Sequence, residues 1–130
     1  MKKSELKLLI KEILQEQRKN SGGDCYDKHG RIISGMWDKE EEKEYKLCHG
    51  VAILKTDGKP FGHCWIEVGH NTVIDKSNGN DFHGPKMLYY TVGGIPAKGW
   101  EKIYKYSPSQ VREKILETSH WGPWDYDPPR

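Results

Sequence analysis

Residues 63–75, HCWIEVGHNTVID, hold the pattern on which the fold depends. His63–Val68 is a β-prone, largely apolar run, and Thr72–Asp75 is a second, shorter one. The Gly-His-Asn triplet between them is typical of a tight turn. The stretch therefore predicts two antiparallel strands, with Asp75 folded back to the level of His63 on the neighbouring strand.

Other β-prone runs lie on both sides of this hairpin. Leu47–Leu54 precedes it, and Asp57-Gly58 marks the intervening turn. Met87–Val92 and Lys102–Tyr106 follow it, separated by a Gly-Gly-Ile-Pro turn. The sequence thus predicts an antiparallel sheet of about five strands, counted from these runs.

Three segments have helical features. Residues 4–19 carry Leu and Ile at helical spacing among Lys and Glu, which predicts an amphipathic helix that either packs on the body or binds another protein. A helix is expected to start at Asp24-Cys25, and residues 38–46 form a charged, exposed connector. Ser107-Pro108-Ser109-Gln110 has the residues of a capping box and predicts a further helix. We expect an α+β protein with an N-terminal helix (1–20) and one domain (21–130).

Composition limits the class of protein. A chain of 130 residues with net charge +2 and interspersed signs suits one soluble domain and gives no footprint for nucleic acid. No segment resembles a signal peptide or a membrane span. Three cysteines without a C-x-x-C pair favour reduced thiols, and we expect a cytoplasmic protein without cofactor.

Cys25, His63 and Asp75 form a cysteine, histidine and acid series. A thiol becomes a useful nucleophile beside a helix N-terminus and an imidazolium, and an acid can orient the imidazole. We expect Asp75 to accept the Nδ1 proton of His63 and leave the other nitrogen for the thiol. His49 is expected on a neighbouring strand as a substrate contact. A zinc site from His63, Asp75 and His49 is an alternative reading of the same residues.

The spacing of Cys25, His63, Trp65, Glu67 and Asp75 resembles that of the transglutaminase-like, papain-like cysteine hydrolases, which include the small peptidases that mature lasso peptides. The resemblance implies that Cys25 is the nucleophile, His63 the base and Asp75 the orienting acid, with the cysteine helix packed on the sheet. Trp65 would lie in the core or line the substrate groove.

The resemblance also bears on the oxyanion and the biological setting. The backbone N–H of Cys25 and one side chain, Asn20 or Tyr26, would stabilise the oxyanion, which makes Tyr26 a substrate-binding candidate. The remainder of the chain resembles phage and bacterial proteins, so a phage-encoded protein would act in the host cytoplasm or in the virion.

The expected function is hydrolysis of a peptide, isopeptide or other acyl bond, with transfer to an amine as the second choice. The alternative is a catalytically inactive papain-like fold that serves as a phage structural or host-interaction module, with the N-terminal helix as its docking element. A peptide or protein is the expected substrate, and neither nucleic acid nor membrane is an expected partner.

Overall fold

The computed structural model describes residues 25–53, 58–77 and 81–129. The predicted helix over residues 4–19 and the domain boundary at residue 20 lie outside these ranges. The described residues form an α+β structure whose elements, in chain order, are α1 (Cys25–Ser34), α2 (Lys39–Glu44), β1 (Tyr45–Ile53), β2 (Pro60–Val68), β3 (Thr72–Asp75), β4 (Phe82–Pro85), α3 (Lys86–Gly93), β5 (Tyr104–Tyr106) and α4 (Pro108–Thr118).

The five strands form one antiparallel sheet in the order β4-β3-β2-β1-β5. The predicted five-strand sheet is confirmed, but one of its members was assigned wrongly. Met87–Val92 lies within helix α3, and the additional strand is β4. In a helix Tyr89 and Tyr90 can both reach the sheet, whereas on a strand adjacent side chains would point to opposite faces.

Both faces of the sheet are covered. Helices α1 and α4 pack on the first face, while α3 packs beside β3 and β4. The buried residues of the first face are Cys25, Ile33, Leu47, Cys64, Ile66, Tyr106, Val111, Ile115 and Trp121. The buried residues of the second face are Cys48, Ala52, Trp65, Val73 and Ile95. Cys48 and Cys64 are therefore core residues.

Local capping explains where two helices begin. Ser107 caps α4 and forms the predicted capping box with Gln110. Asp38 and Glu41 form a second capping box at α2, so the charged connector begins as a short helix without buried residues. Within the described ranges, no helix combines the length and apolar character needed to cross a bilayer.

Glycine at position 30 allows the C-terminal part of the chain to lie close to α1. A Cβ at Gly30 would lie 2.4 Å from Cε3 of Trp121, whereas a Cβ at Gly35 would meet only backbone oxygens at 3.5 Å or more. We expect Gly30→Ala to lower the free energy of unfolding by about 1–3 kcal/mol through overpacking. Gly35→Ala, the matched control, should change it by no more than about 0.5 kcal/mol. Urea unfolding of the two variants measures the difference, and equal losses would contradict this account of Gly30.

Candidate active site

The β2–β3 hairpin brings His63 and Asp75 together. Ile66 pairs with Ile74, so Asp75 at the end of β3 lies close to His63 on β2. Nε2 of His63 is 3.3 Å from Oδ2 of Asp75, and the two residues are only 8% and 3% exposed. The proximity predicted from the turn is confirmed.

The carboxylate of Asp75 is satisfied by several donors. Oδ1 accepts hydrogen bonds from the backbone N–H of Ser77 at 2.9 Å and from its hydroxyl at 2.6 Å. Oδ2 accepts one from the hydroxyl of Tyr89 at 2.5 Å. Burial disfavours the charged form, but the hydrogen bonds from His63, Ser77 and Tyr89 outweigh it and hold the pKa of Asp75 well below its usual range.

The nitrogen of His63 that faces Asp75 is Nε2. The prediction that Nδ1 makes this contact is therefore wrong. Nε2 faces Oδ2 of Asp75 and lies 2.8 Å from the hydroxyl of Tyr89. Because both partners lie on this side of the ring, Nδ1 is the nitrogen left for the thiol.

Two neighbouring groups act on the charge of His63. Burial disfavours the imidazolium, but Asp75 and the thiol of Cys25 outweigh burial and raise the pKa of His63 to about 9. The thiol raises the pKa of His63 although it forms no well-aligned hydrogen bond with the ring. Within the described residues, the buried Nδ1 of His63 has no such bond. At neutral pH the ring is therefore cationic.

Helix α1 contributes two side chains to this cluster. Cys25 is its first described residue and is 7% exposed. His29, four residues later on the same helix face, lies with Nε2 3.5 Å from Oδ1 of Asp75 and accepts the backbone N–H of Lys76 at 2.9 Å. Sequence reasoning missed His29, although its helical spacing from Cys25 was the available signal.

His49 lies on β1, the strand next to β2, as expected, but it does not face the site with His63. Gly50 is the residue that pairs with His63, so His49 faces the first side of the sheet with Cys64. Its ring is fully buried against Tyr26, Tyr106 and Trp124, and burial lowers its pKa to about 3. The structure therefore gives His49 a packing position rather than one open to a substrate.

The same separation argues against the alternative zinc site, because His49 does not converge with His63 and Asp75. Within the described ranges, no group of three or more His, Cys, Asp or Glu side chains is arranged to hold a metal ion.

Trp65 is fully buried beside the site. Its ring stacks on that of His63 at a centroid distance of 5.9 Å, and its Nε1 donates to Oε2 of Glu67 at 3.0 Å. Of the two positions expected for Trp65, the structure shows the core one. From this core position Trp65 packs against one face of the imidazole.

Glu67 anchors a second polar network beneath Trp65. It is 3% exposed, accepts a hydrogen bond from Tyr90, and lies 2.9 Å and 3.4 Å from the ammonium groups of Lys105 and Lys86. Burial disfavours the carboxylate, but hydrogen bonds from Tyr90, Lys105 and Trp65 lower the pKa of Glu67 to about 2.

The C-terminal segment covers the end of the sheet near the site. Tyr126 lies with its hydroxyl 2.7 Å from that of Tyr26 and 2.9 Å from the carbonyl oxygen of Gly50. Pro128 packs so closely on Gly62 that a Cβ there would lie 2.6 Å from the proline Cβ. The hydroxyl of Tyr26, one of the two expected oxyanion donors, is thus engaged by this segment, and Asn20 lies outside the described residues.

Comparison of the chain with protein-family models, with curated proteins and with solved structures gave no match.

The buried carboxylate of Glu67 should make stability depend on pH. Because its folded pKa lies below its usual value, its stabilising effect is present at neutral pH and is lost as the pH falls from about 5 to about 2. Glu67→Gln should lower the free energy of unfolding at pH 7 by about 1–3 kcal/mol and flatten its decline towards acid. Urea unfolding between pH 7 and pH 3 measures both effects, with the exposed Glu113→Gln as control. A Glu67→Gln curve parallel to wild type would contradict this role.

Proposed function

We propose that this protein is a thiol-dependent hydrolase or acyltransferase of the papain-like or transglutaminase-like type, acting on a peptide, isopeptide or other acyl bond. The observation that carries the proposal is the position of His63. It is a buried imidazole whose Nε2 lies 3.3 Å from Oδ2 of Asp75 and whose charge is influenced by the thiol of Cys25. A nucleophile, a base and an orienting acid are the three parts that such chemistry needs.

Protonation of His63 at neutral pH suits the first chemical step. A cationic imidazole beside a thiol favours the thiolate, which is the nucleophilic form of cysteine. The Cys25 sulfur then attacks the acyl carbon and forms a tetrahedral oxyanion. When the oxyanion collapses, the bond to the leaving amine breaks, and His63 transfers its Nδ1 proton to that amine.

Neutral His63 then serves as the base in the second step. Its Nδ1 takes a proton from water as the water oxygen attacks the thioester carbon. Collapse of this second intermediate releases the carboxylic acid and regenerates the thiolate and the imidazolium. Hydrolysis is our first choice, and attack by an amine in place of water would give acyl transfer.

The alternative is a catalytically inactive papain-like fold that acts as a phage structural or host-interaction module. The observation that favours it is the small exposed fraction of the three central residues, 7% for Cys25, 8% for His63 and 3% for Asp75. A substrate would reach the thiol only after local opening, whereas a binding module needs no such access.

Alkylation separates the two functions. We expect iodoacetamide to modify Cys25 at about pH 6, well below the ordinary thiol pKa of about 8.5, and much faster than Cys48 or Cys64. Peptide mass spectrometry of the native protein reads each thiol separately, so the two buried core cysteines are internal controls. His63→Ala should abolish the advantage of Cys25.

His83→Ala is the matched control, since it removes an exposed histidine from β4. This variant should label like wild type. Three thiols with the same slow labelling and ordinary pH profile would overturn the hydrolase and favour the binding module.

A further inference from the structure

We propose that Tyr89 is a positioning residue that holds His63 in the form with its proton on Nε2, by accepting that proton in a hydrogen bond while donating its own to Asp75. The inference rests on the proposed function, in which Nδ1 of His63 exchanges protons with the Cys25 thiol and with the substrate. It adds a fourth member to the group expected from sequence.

The distances favour a path through Tyr89 over the direct contact. Nε2 of His63 is 2.8 Å from the Tyr89 hydroxyl but 3.3 Å from Oδ2 of Asp75. The same hydroxyl is 2.5 Å from Oδ2. A distance of 3.3 Å is longer than a usual nitrogen–oxygen hydrogen bond, whereas the 2.8 Å between Nε2 and the hydroxyl lies within the usual range. The 2.5 Å between the hydroxyl and Oδ2 lies at the short end of the range for two oxygens. The phenol therefore makes the stronger link between ring and carboxylate.

A count of protons fixes the direction of each bond. The hydroxyl of Tyr89 has one proton, and the ionised carboxylate of Asp75 can only accept, so that proton goes to Asp75. Toward His63, the hydroxyl oxygen can then act only as a hydrogen-bond acceptor. Nε2 thus faces two acceptors and must carry hydrogen. Nδ1, on the other side of the ring, is left to exchange a proton with the thiol.

The other groups around His63 do not hold its proton on Nε2. From α1, Cys25 acts on the ring and His29 contacts the opposite oxygen of Asp75. Phe61 and Trp65 of β2 pack against the ring and carry no charge. Among these described neighbours, only Asp75 and Tyr89 form a hydrogen bond with Nε2.

Tyr90 provides a matched control one position along α3. Like Tyr89 it is a half-buried phenol whose hydroxyl donates to a buried carboxylate, but its partner is Glu67 rather than Asp75. Tyr90→Phe therefore removes an equivalent hydroxyl and leaves the contacts of His63 in place. A purely structural contribution of the tyrosine hydroxyls should appear in both variants.

The first measurement is the pH profile of Cys25 alkylation in the full chain. Tyr89→Phe should slow alkylation at pH 6 by on the order of tenfold, since a hydrogen bond to a charged donor is lost and only partly replaced by Asp75. The pH at which the alkylation rate is half-maximal should be higher in Tyr89→Phe than in wild type. Near pH 10 the two proteins should be alkylated at the same rate. Tyr90→Phe should stay within about twofold of wild type. Equal profiles for the two variants would overturn the role of Tyr89.

The second measurement observes the proton on Nε2 directly. In protein labelled with ¹⁵N-histidine, we expect at pH 7 a slowly exchanging Nε2–H signal that disappears in His63→Ala. It should persist in Tyr90→Phe and broaden beyond detection in Tyr89→Phe. The same signal in wild type, Tyr89→Phe and Tyr90→Phe would overturn the proposal. If wild-type Cys25 shows no special reactivity, the proposed function fails, and this signal still decides whether Tyr89 positions the ring.

Discussion

The carboxylate of Asp75 contacts residues from four other parts of the described structure. A buried charge without partners costs several kcal/mol or more, so its position requires hydrogen-bond donors around it. His63 comes from β2, Tyr89 from α3, Ser77 from the chain after β3, and His29 lies against it from α1. The elements that meet at Asp75 are thus held in one relative arrangement by the need to satisfy one anion.

Helix α3 links this anion to a second one. Its adjacent tyrosines donate to different buried carboxylates, Tyr89 to Asp75 and Tyr90 to Glu67. Trp65 lies between the two networks, since it stacks on His63 and donates to Glu67. The edge of the imidazole thus faces the Asp75 network, while its face packs on the ring of Trp65.

The features that could be predicted from the sequence are those that depend on residues close together in the chain. The capping box at Ser107, the turn before Thr72 and the pairing of His63 with Asp75 depend on neighbouring residues and strand register. The strand predicted at Met87–Val92 was wrong because its β-prone residues are equally compatible with a helix that turns two phenols inward. The orientation of the His63 ring depends on Tyr89, 26 residues away, which no local pattern reveals. No local pattern reveals on which face of the sheet His49 lies either.

The cover formed by Tyr126 has a consequence for the order in which the molecule is made. Tyr26 and its partner Tyr126 are 100 residues apart in the chain. At ordinary rates of synthesis, the ribosome needs roughly 5–20 s to add that many residues. Throughout that interval Tyr26 lacks the hydroxyl partner that it has in the folded chain, and the end of the sheet at Gly50 and Gly62 lacks its cover. The cover over this end of the sheet is therefore added later in synthesis than Cys25, His63, Asp75 and Tyr89 themselves.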